Sequence, residues 1–401
     1  MTNPPLAYPS FRNFFACRVA SSIASQMMMV IIGWQMYDLT HSAYDLGLVG
    51  LAQFVPSLAL SLVVGQMLDR FDRRRVLTWC LAGQLLLTAV LIGGTLGGWL
   101  NRETILFVSL GLGAAKAFQM PAIQALGPLL VPPQVLPRAL AVSAASTQFA
   151  IIVGPAAGGF MYAAGAQVVY MACAALFLIA IFMMMAVRLE HAPAESKATD
   201  LQSLFAGIVF IWQRKEILGA LSLDLFAVLL GGATALLPIF ARDILHVGPW
   251  GLGLLRSAPA IGALIVSLYL ARRPIQQRVG KMMLGSVAIY GLATVVFGLS
   301  TSFLLSLLAL AVTGAFDMVS VVIRQSLVQL DTPNEMRGRV SAVNSIFIGA
   351  SNQLGEFESG LTAAWFGASP SVLIGGLGTL LVAAAWMKLF PMLARRERLA
   401  S

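Results

Sequence analysis

Ionisable side chains stand inside otherwise apolar stretches at Arg18, Lys116, Asp224, Arg256, Asp317, Arg324, Glu356 and Glu358. A carboxylate in such surroundings is costly when charged, so it can load and release a proton or trade it for a substrate cation. A cation there attracts a carboxylate or an anionic ligand. Asp317 and Arg324 are seven residues apart, two turns on one helical face, whereas Glu356 and Glu358 diverge by about 200° and cannot share one. Asp224 has no neighbour of opposite charge in its own stretch, and the alternative to proton chemistry is a fixed structural pair with Lys116 or Arg18. Asn344, Asn352 and Gln353 add polar groups near the two glutamates, and Trp34 and Gln35 do so in the first stretch.

Other chemistries find little support. Cys17, Cys80 and Cys173 lie in apolar runs at no metal-ligand spacing, and Met27–Met29 and Met183–Met185 read as core or lipid-facing filler, so no metal is expected. His41-Ser-Ala-Tyr-Asp45 is one residue short of an acyltransferase His/Asp motif, and His191 and His246 lie in polar segments. No Gly-rich Lys loop for nucleotide phosphates occurs, so neither an enzyme, a cofactor nor ATP drive is expected.

The elements that must position these charges are membrane helices. The 401 residues are 58% hydrophobic and 11% charged, with mean hydropathy +0.84, against about 25% charged in an ordinary soluble domain. About twelve runs approach the ~20 apolar residues that a bilayer requires: near 13–37, 46–68, 76–99, 104–130, 139–163, 167–187, 217–241, 250–271, 282–300, 302–330, 340–365 and 370–390. The first is too long for a cleaved signal and reads as a retained helix. Net charge +9 reports orientation, not nucleic acid: with the N-terminus cytoplasmic, twenty of the 26 Lys/Arg fall in cytoplasmic segments and only Arg102 and Arg242 outside. Both termini are therefore expected in the cytoplasm, with basic segments at anionic headgroups.

The polar stretch "RLEHAPAESKATD" at 188–200 divides the chain into a six-helix bundle over 1–187 and another over 216–401, joined by a linker over 188–215. In that linker Leu201, Leu204, Phe205, Ile208, Ile211 and Trp212 recur at helical spacing, which predicts an amphipathic helix on the cytoplasmic face. The halves repeat at an offset of 201: Pro132/Pro333, Arg138/Arg339, Ala141/Ala342, Val142/Val343, Gly154/Gly355 and Gly159/Gly360. Parallel repeats of six spans are a transporter architecture with the substrate site near the midplane between them.

"GQMLDRFDRRR" at 65–75 joins the second and third spans on the cytoplasmic side. Its pattern, Gly65-x-x-x-Asp69-Arg70-x-x-Arg73-Arg74, resembles the loop signature of the major facilitator superfamily, and with twelve spans and the six-span repeat the resemblance covers nearly the whole chain. "GPAAGG", with Gly154, Pro155, Gly158 and Gly159, is similar to the fifth-helix motif of that family's antiporters. "FRNFFACRVASS", "GLVGLAQFVP" and "RGRVSAVN" look most like its enterobactin-exporter and macrolide-efflux branch. The resemblance implies an all-α polytopic fold of two pseudo-symmetric halves. It also implies that the loop is a conformational latch: Gly65 permits close helix approach, Asp69 faces the start of the eleventh span near Arg339, and Arg70, Arg73 and Arg74 hold the loop in the cytoplasm. The counterpart "ARRPIQQRVGK" at 271–281 carries no acid and reads as a topology signal. Ala150 stands where the longer antiporter motif has a further Gly, and Phe107 near the family's buried Arg, so an acid such as Asp224 takes over as the proton-coupling candidate, with Asp317 next.

The function expected is a secondary active transporter of the cytoplasmic (inner) membrane. It would act as a monomer, exporting a small organic molecule such as a drug, siderophore or metabolite by alternating access, with protons as coupling ion. The alternative is a sensor or uniporter of the same shape without proton coupling.

Overall fold

The computed structural model describes residues 4–188 and 201–399, without the side chains at 61–63, 65–66, 68–69, 201–204 and 334. Of the expected latch, Gly65 and Asp69 lie outside the described residues, as do 189–200 of the linker and the side chains of Leu201 and Leu204.

Among the described residues the chain is helical, with no strand. In hydrocarbon every backbone N–H and C=O must find its partner within the segment, and a helix of apolar residues meets that condition. The helices are α1 Pro9–Thr40, α2 Ala43–Arg70, α3 Arg73–Gly97, α4 Arg102–Leu126, α5 Leu136–Met161, α6 Ala166–Met185, α7 Leu201–Gln213 and α8 Lys215–Leu230. They continue with α9 Leu237–Ile239, α10 Gly248–Arg272, α11 Val279–Leu299, α12 Phe303–Asp331, α13 Asn334–Phe366, α14 Ala368–Leu389 and α15 Pro391–Ala394. Eleven stretches among the described residues are long and apolar enough to cross a membrane, α8 and α9 belonging to one stretch, Lys215–Ile244. The expected eleventh span is the exception. It forms α13, a helix of 33 residues, but Asn344, Asn352, Gln353, Glu356 and Glu358 make it too polar to count among the eleven.

Helix ends are fixed by local chemistry. Pro9 opens α1, where its missing N–H costs nothing, and His41 closes it in the left-handed region at φ 48°. Asp72 caps α3 by accepting from the Arg74 N–H at 2.9 Å, and Asn101 caps α4 by accepting from the Thr104 N–H at 2.9 Å. Gly98, at φ 68°, ends α3 in a conformation that side chains resist.

The chain forms two compact units. One contains α1, most of α2, and α3–α6. The other contains residues 42–51 at the start of α2 and all of α7–α15. In the first unit α1 packs on α5 and α6, and α3 on α4 and α6. In the second, α10 packs on α12, α11 on α12 and α14, and α8 on α13 and α14. The 201-residue repeat reappears as structure, since α4 starts at Arg102 and α12 at Phe303. A Cβ on Gly154 would lie 2.5 Å from Gln26 Cβ, and one on Gly158 3.2 Å from Met27 Cα, so the "GPAAGG" motif is where α5 meets α1. The repeat partner Gly355 brings α13 onto α8 in the same way, 2.9 Å from the Val228 and Leu229 carbonyls. Gly113 and Gly314 are also 201 apart; a Cβ on Gly113 would strike the Gln53 carbonyl, and one on Gly314 the Pro259 carbonyl. These contacts need backbone against backbone.

The linker helix α7 turns one face to α13: Ile211 is buried with Val340 and Val343, and Gly207 lies against the Arg339 carbonyl. Phe205, Val209 and Trp212 are exposed on it.

Gly314→Val should force α10 and α12 apart and cost about 1–3 kcal/mol or more. It is expected to lower the melting temperature of the detergent-solubilised protein, whereas Gly285→Ala, at a glycine with open space around it, should leave it unchanged.

Candidate functional site

In the second unit the seam between α8 and α12 is held by charge at two levels. At the helix ends Arg396, just beyond α15, pairs with Glu216 of α8 and, at 2.9 Å, with Asp331 of α12; its other Nη2 bond goes to the Leu399 carbonyl. The same tail accepts the Gly280 N–H at the start of α11 through the Arg396 carbonyl, at 3.0 Å. Burial works to lower the Arg396 pKa, but the bonds and charges of Asp331 and Glu216 prevail and hold it above its ordinary value. A raised cationic pKa contributes stability that is complete below the group's ordinary value and lost only above it, so the guanidinium stays charged across the neutral range.

Further in, Asp224 is bonded to Arg324. Asp224 lies nine residues into α8 and Arg324 seven before the end of α12, placing both about 10–14 Å from the same helix ends. The two residues are 5% and 3% exposed. Asp224 is therefore not isolated, and its partner is neither Lys116 nor Arg18. Arg324 reaches it because α12 packs on α8, a neighbourhood that no local spacing encodes. Asp317, two turns from Arg324, lines the same small cavity as Asp224, with Tyr290 and Ser320. Tyr290 donates to the Gly231 carbonyl at 3.1 Å, while Ser320 Oγ and Arg324 Nε have no hydrogen-bond partner. Two carboxylates face one guanidinium here, so a single proton brings the cluster to neutrality.

Elsewhere in this unit Glu356 Oε1 lies 3.9 Å from Arg256 Nη2, and the wall opposite Glu356 is Gly50, where a Cβ would come within 2.9 Å of Oε2. Glu358 is half-buried, and its carbonyl accepts from Thr362.

The first unit carries carboxamides and cations. Gln84 on α3 donates to Gln119 Oε1 on α4 at 2.8 Å. Arg18 donates to Thr147 on α5 at 2.8 Å, and Gln35 on α1 accepts from the Tyr170 hydroxyl at 2.5 Å. Lys116, Gln84 and Gln119 border a common cavity with Gln53, Gln26 and Thr147. In the charged loop Arg70 is exposed and Arg73 half-exposed, while Arg74 donates to the Val187 carbonyl at 2.8 Å, fastening the start of α3 to the end of α6. Sequence reasoning missed the Gln84–Gln119 pair, although a single carboxamide in "LAGQLLL" was a visible signal. It also missed the Arg396 clasp, for which a terminal basic cluster gives none.

The sequence model of the Major Facilitator Superfamily matches residues 14–356. The enterobactin exporters EntS of Citrobacter koseri and of Escherichia coli O81 are each 27% identical over 387 residues, 94% of this chain and 87% of theirs. Among solved structures, a bacterial homolog of the human lysosomal transporter Spinster, inward-facing and occupied, superposes with TM-score 0.77 at 13% identity, covering 98% of both chains. A bacterial homologue of the iron transporter ferroportin, inward-facing, gives 0.70 at 16%, covering 96% of this chain and 99% of that one.

Removing one member of a buried pair leaves the other uncompensated, at about 3–5 kcal/mol. Arg324→Met should accordingly lower the melting temperature sharply, and the double variant Asp224→Leu/Arg324→Met should recover most of the loss. A double variant no more stable than the single one would show that the pair does not carry the seam.

Proposed function

Because the chain belongs to the Major Facilitator Superfamily and is a multi-pass membrane transporter, we propose that it exports a small organic molecule in exchange for protons by alternating access. It does so as a monomer in the cytoplasmic membrane, with both termini in the cytoplasm. The observation that carries the coupling is the cluster of buried Asp224 and Arg324 with half-buried Asp317, set in an apolar bundle with one negative charge more than positive. Arg324 holds Asp224 and leaves Asp317 as the acid that loads and releases the proton. An antiporter needs a group whose charge changes as it is exposed to one side and then the other, and such a group is expensive at membrane depth unless it serves that purpose. The names of the relatives, enterobactin exporters, support the outward direction and an organic cargo. We assign conformational control to the loop of Asp69, Arg70, Arg73 and Arg74, and close helix packing to Gly154, Pro155, Gly158 and Gly159.

The cargo itself is found by comparing the compounds released by cells that lack and cells that overproduce the protein. In proteoliposomes with an imposed pH gradient, Asp317→Asn should abolish uphill movement of that compound while preserving counterflow exchange and the melting temperature. Gradient-driven export of normal size and pH dependence in Asp317→Asn would refute the coupling role.

A further inference from the structure

The cavity that Asp224 and Asp317 share has a volume of about 10 Å³, room for one water molecule or one bare ion of similar size. Two helical faces meet on it. Asp224, Ala227 and Val228 follow one another at three- and four-residue spacing on α8, and Asp317 and Ser320 are three apart on α12. Tyr290 of α11 closes a third side, and Val287 and Phe316 complete the wall with carbon.

The oxygens on this wall lack donors. Ser320 is 2% exposed and its Oγ has no hydrogen-bond partner, a rare condition for a buried hydroxyl. Asp317 makes no hydrogen bond and no ion pair among the described residues. Asp224 binds Arg324 through Oδ2, and Arg324 is not among the residues that line the cavity. The Tyr290 hydroxyl gives its proton to the Gly231 carbonyl, so to any further neighbour it offers lone pairs. Finally, α8 ends at Leu230 with Gly231 as its cap, which places Ala227 and Val228 in the last turn, the negative end of the helix dipole.

Each of these features favours a cation. A proton on Asp317 cancels the excess negative charge, but it fills no volume and serves one acceptor. Water fills the volume and leaves the charge. A bare monovalent cation takes up both and meets several oxygens at once. A divalent ion would leave the cluster positive in hydrocarbon, and Mg²⁺ keeps waters for which this cavity has no room. Exchange against an exported cargo needs an ion that runs inward, as sodium does across a cell membrane and potassium does not.

We propose that this cavity binds one sodium ion, held by the carboxylates of Asp317 and Asp224 with Ser320 Oγ and the Tyr290 hydroxyl. The assignment rests on Asp317 as the acid that loads and releases the proton, and adds that a metal cation takes the proton's place there.

Binding of radioactive sodium to the purified protein, with choline chloride holding the ionic strength, tests it. The wild type should bind sodium saturably, one ion per chain, and sodium should raise its melting temperature, because a ligand held by the folded state alone stabilises that state. Asp317→Asn should lose both effects. Ser320→Ala should weaken binding about tenfold, the scale of an oxygen contact to a charged group, and Glu358→Gln, at an acid outside the cavity, should bind as the wild type does. Absence of saturable binding, preference for potassium over sodium, or unchanged binding in a folded Asp317→Asn protein would overturn the proposal. Asp317-dependent sodium binding in a protein that moves no compound under a pH gradient would support the site and count against proton-driven export. Proton-driven export by a protein that binds no sodium would overturn the site and leave that export standing.

Discussion

A guanidinium and a carboxylate enclosed together in hydrocarbon set the terms for the second unit. Arg324 and Asp224 are each intolerable there alone, and together they fasten α12 to α8. Asp317 faces the same small cavity, so the cluster holds one acid more than its cation can neutralise. The Arg396 clasp secures the ends of the same two helices, so the cluster sits on a seam closed at its end.

The two units use one framework for different chemistry. Glycines at 154 and 355, and again at 113 and 314, bring equivalent helices into backbone contact, and that requirement survives in both copies because a side chain has no room there. The polar groups do not repeat. Where the second unit carries Asp224, Asp317 and Arg324, the first carries Ile23, Lys116 and Ile123. The cavity of the first unit is bordered by Gln26, Gln53, Gln84, Gln119 and Lys116, and the second unit holds a seam of ion pairs. The duplicated scaffold keeps its glycine contacts and diverges in its polar side chains.

The balance between these demands is visible in α13. It must be a helix throughout, since its backbone has no other way to satisfy itself, yet it carries two glutamates, two asparagines and a glutamine between 344 and 358. Glu356 meets Arg256, and Gly355 and Gly360 lie against neighbouring backbone. Close packing and charge pairing therefore stand in for the apolar surface that this helix lacks.

The sequence by itself determined the class of the protein, because the bilayer imposes a rule that is local and one-dimensional. About twenty apolar residues make a span, basic residues mark one side, and a 201-residue offset in prolines, arginines and glycines marks a duplication. Those features decided the helices, and they pointed to Asp224, Asp317 and Arg324 as charges that need a reason. Tertiary structure alone decided which charge meets which. Asp224 and Arg324 are a hundred residues apart, as are Arg256 and Glu356, while Gln84 and Gln119 are thirty-five apart. No periodicity along a chain reports the angle at which one helix crosses another. A charge in hydrocarbon must have a partner, and that much is legible from one stretch of sequence; the identity of the partner depends on the rotation and depth at which two stretches pack, which the glycine contacts and side-chain shapes of the folded unit fix together.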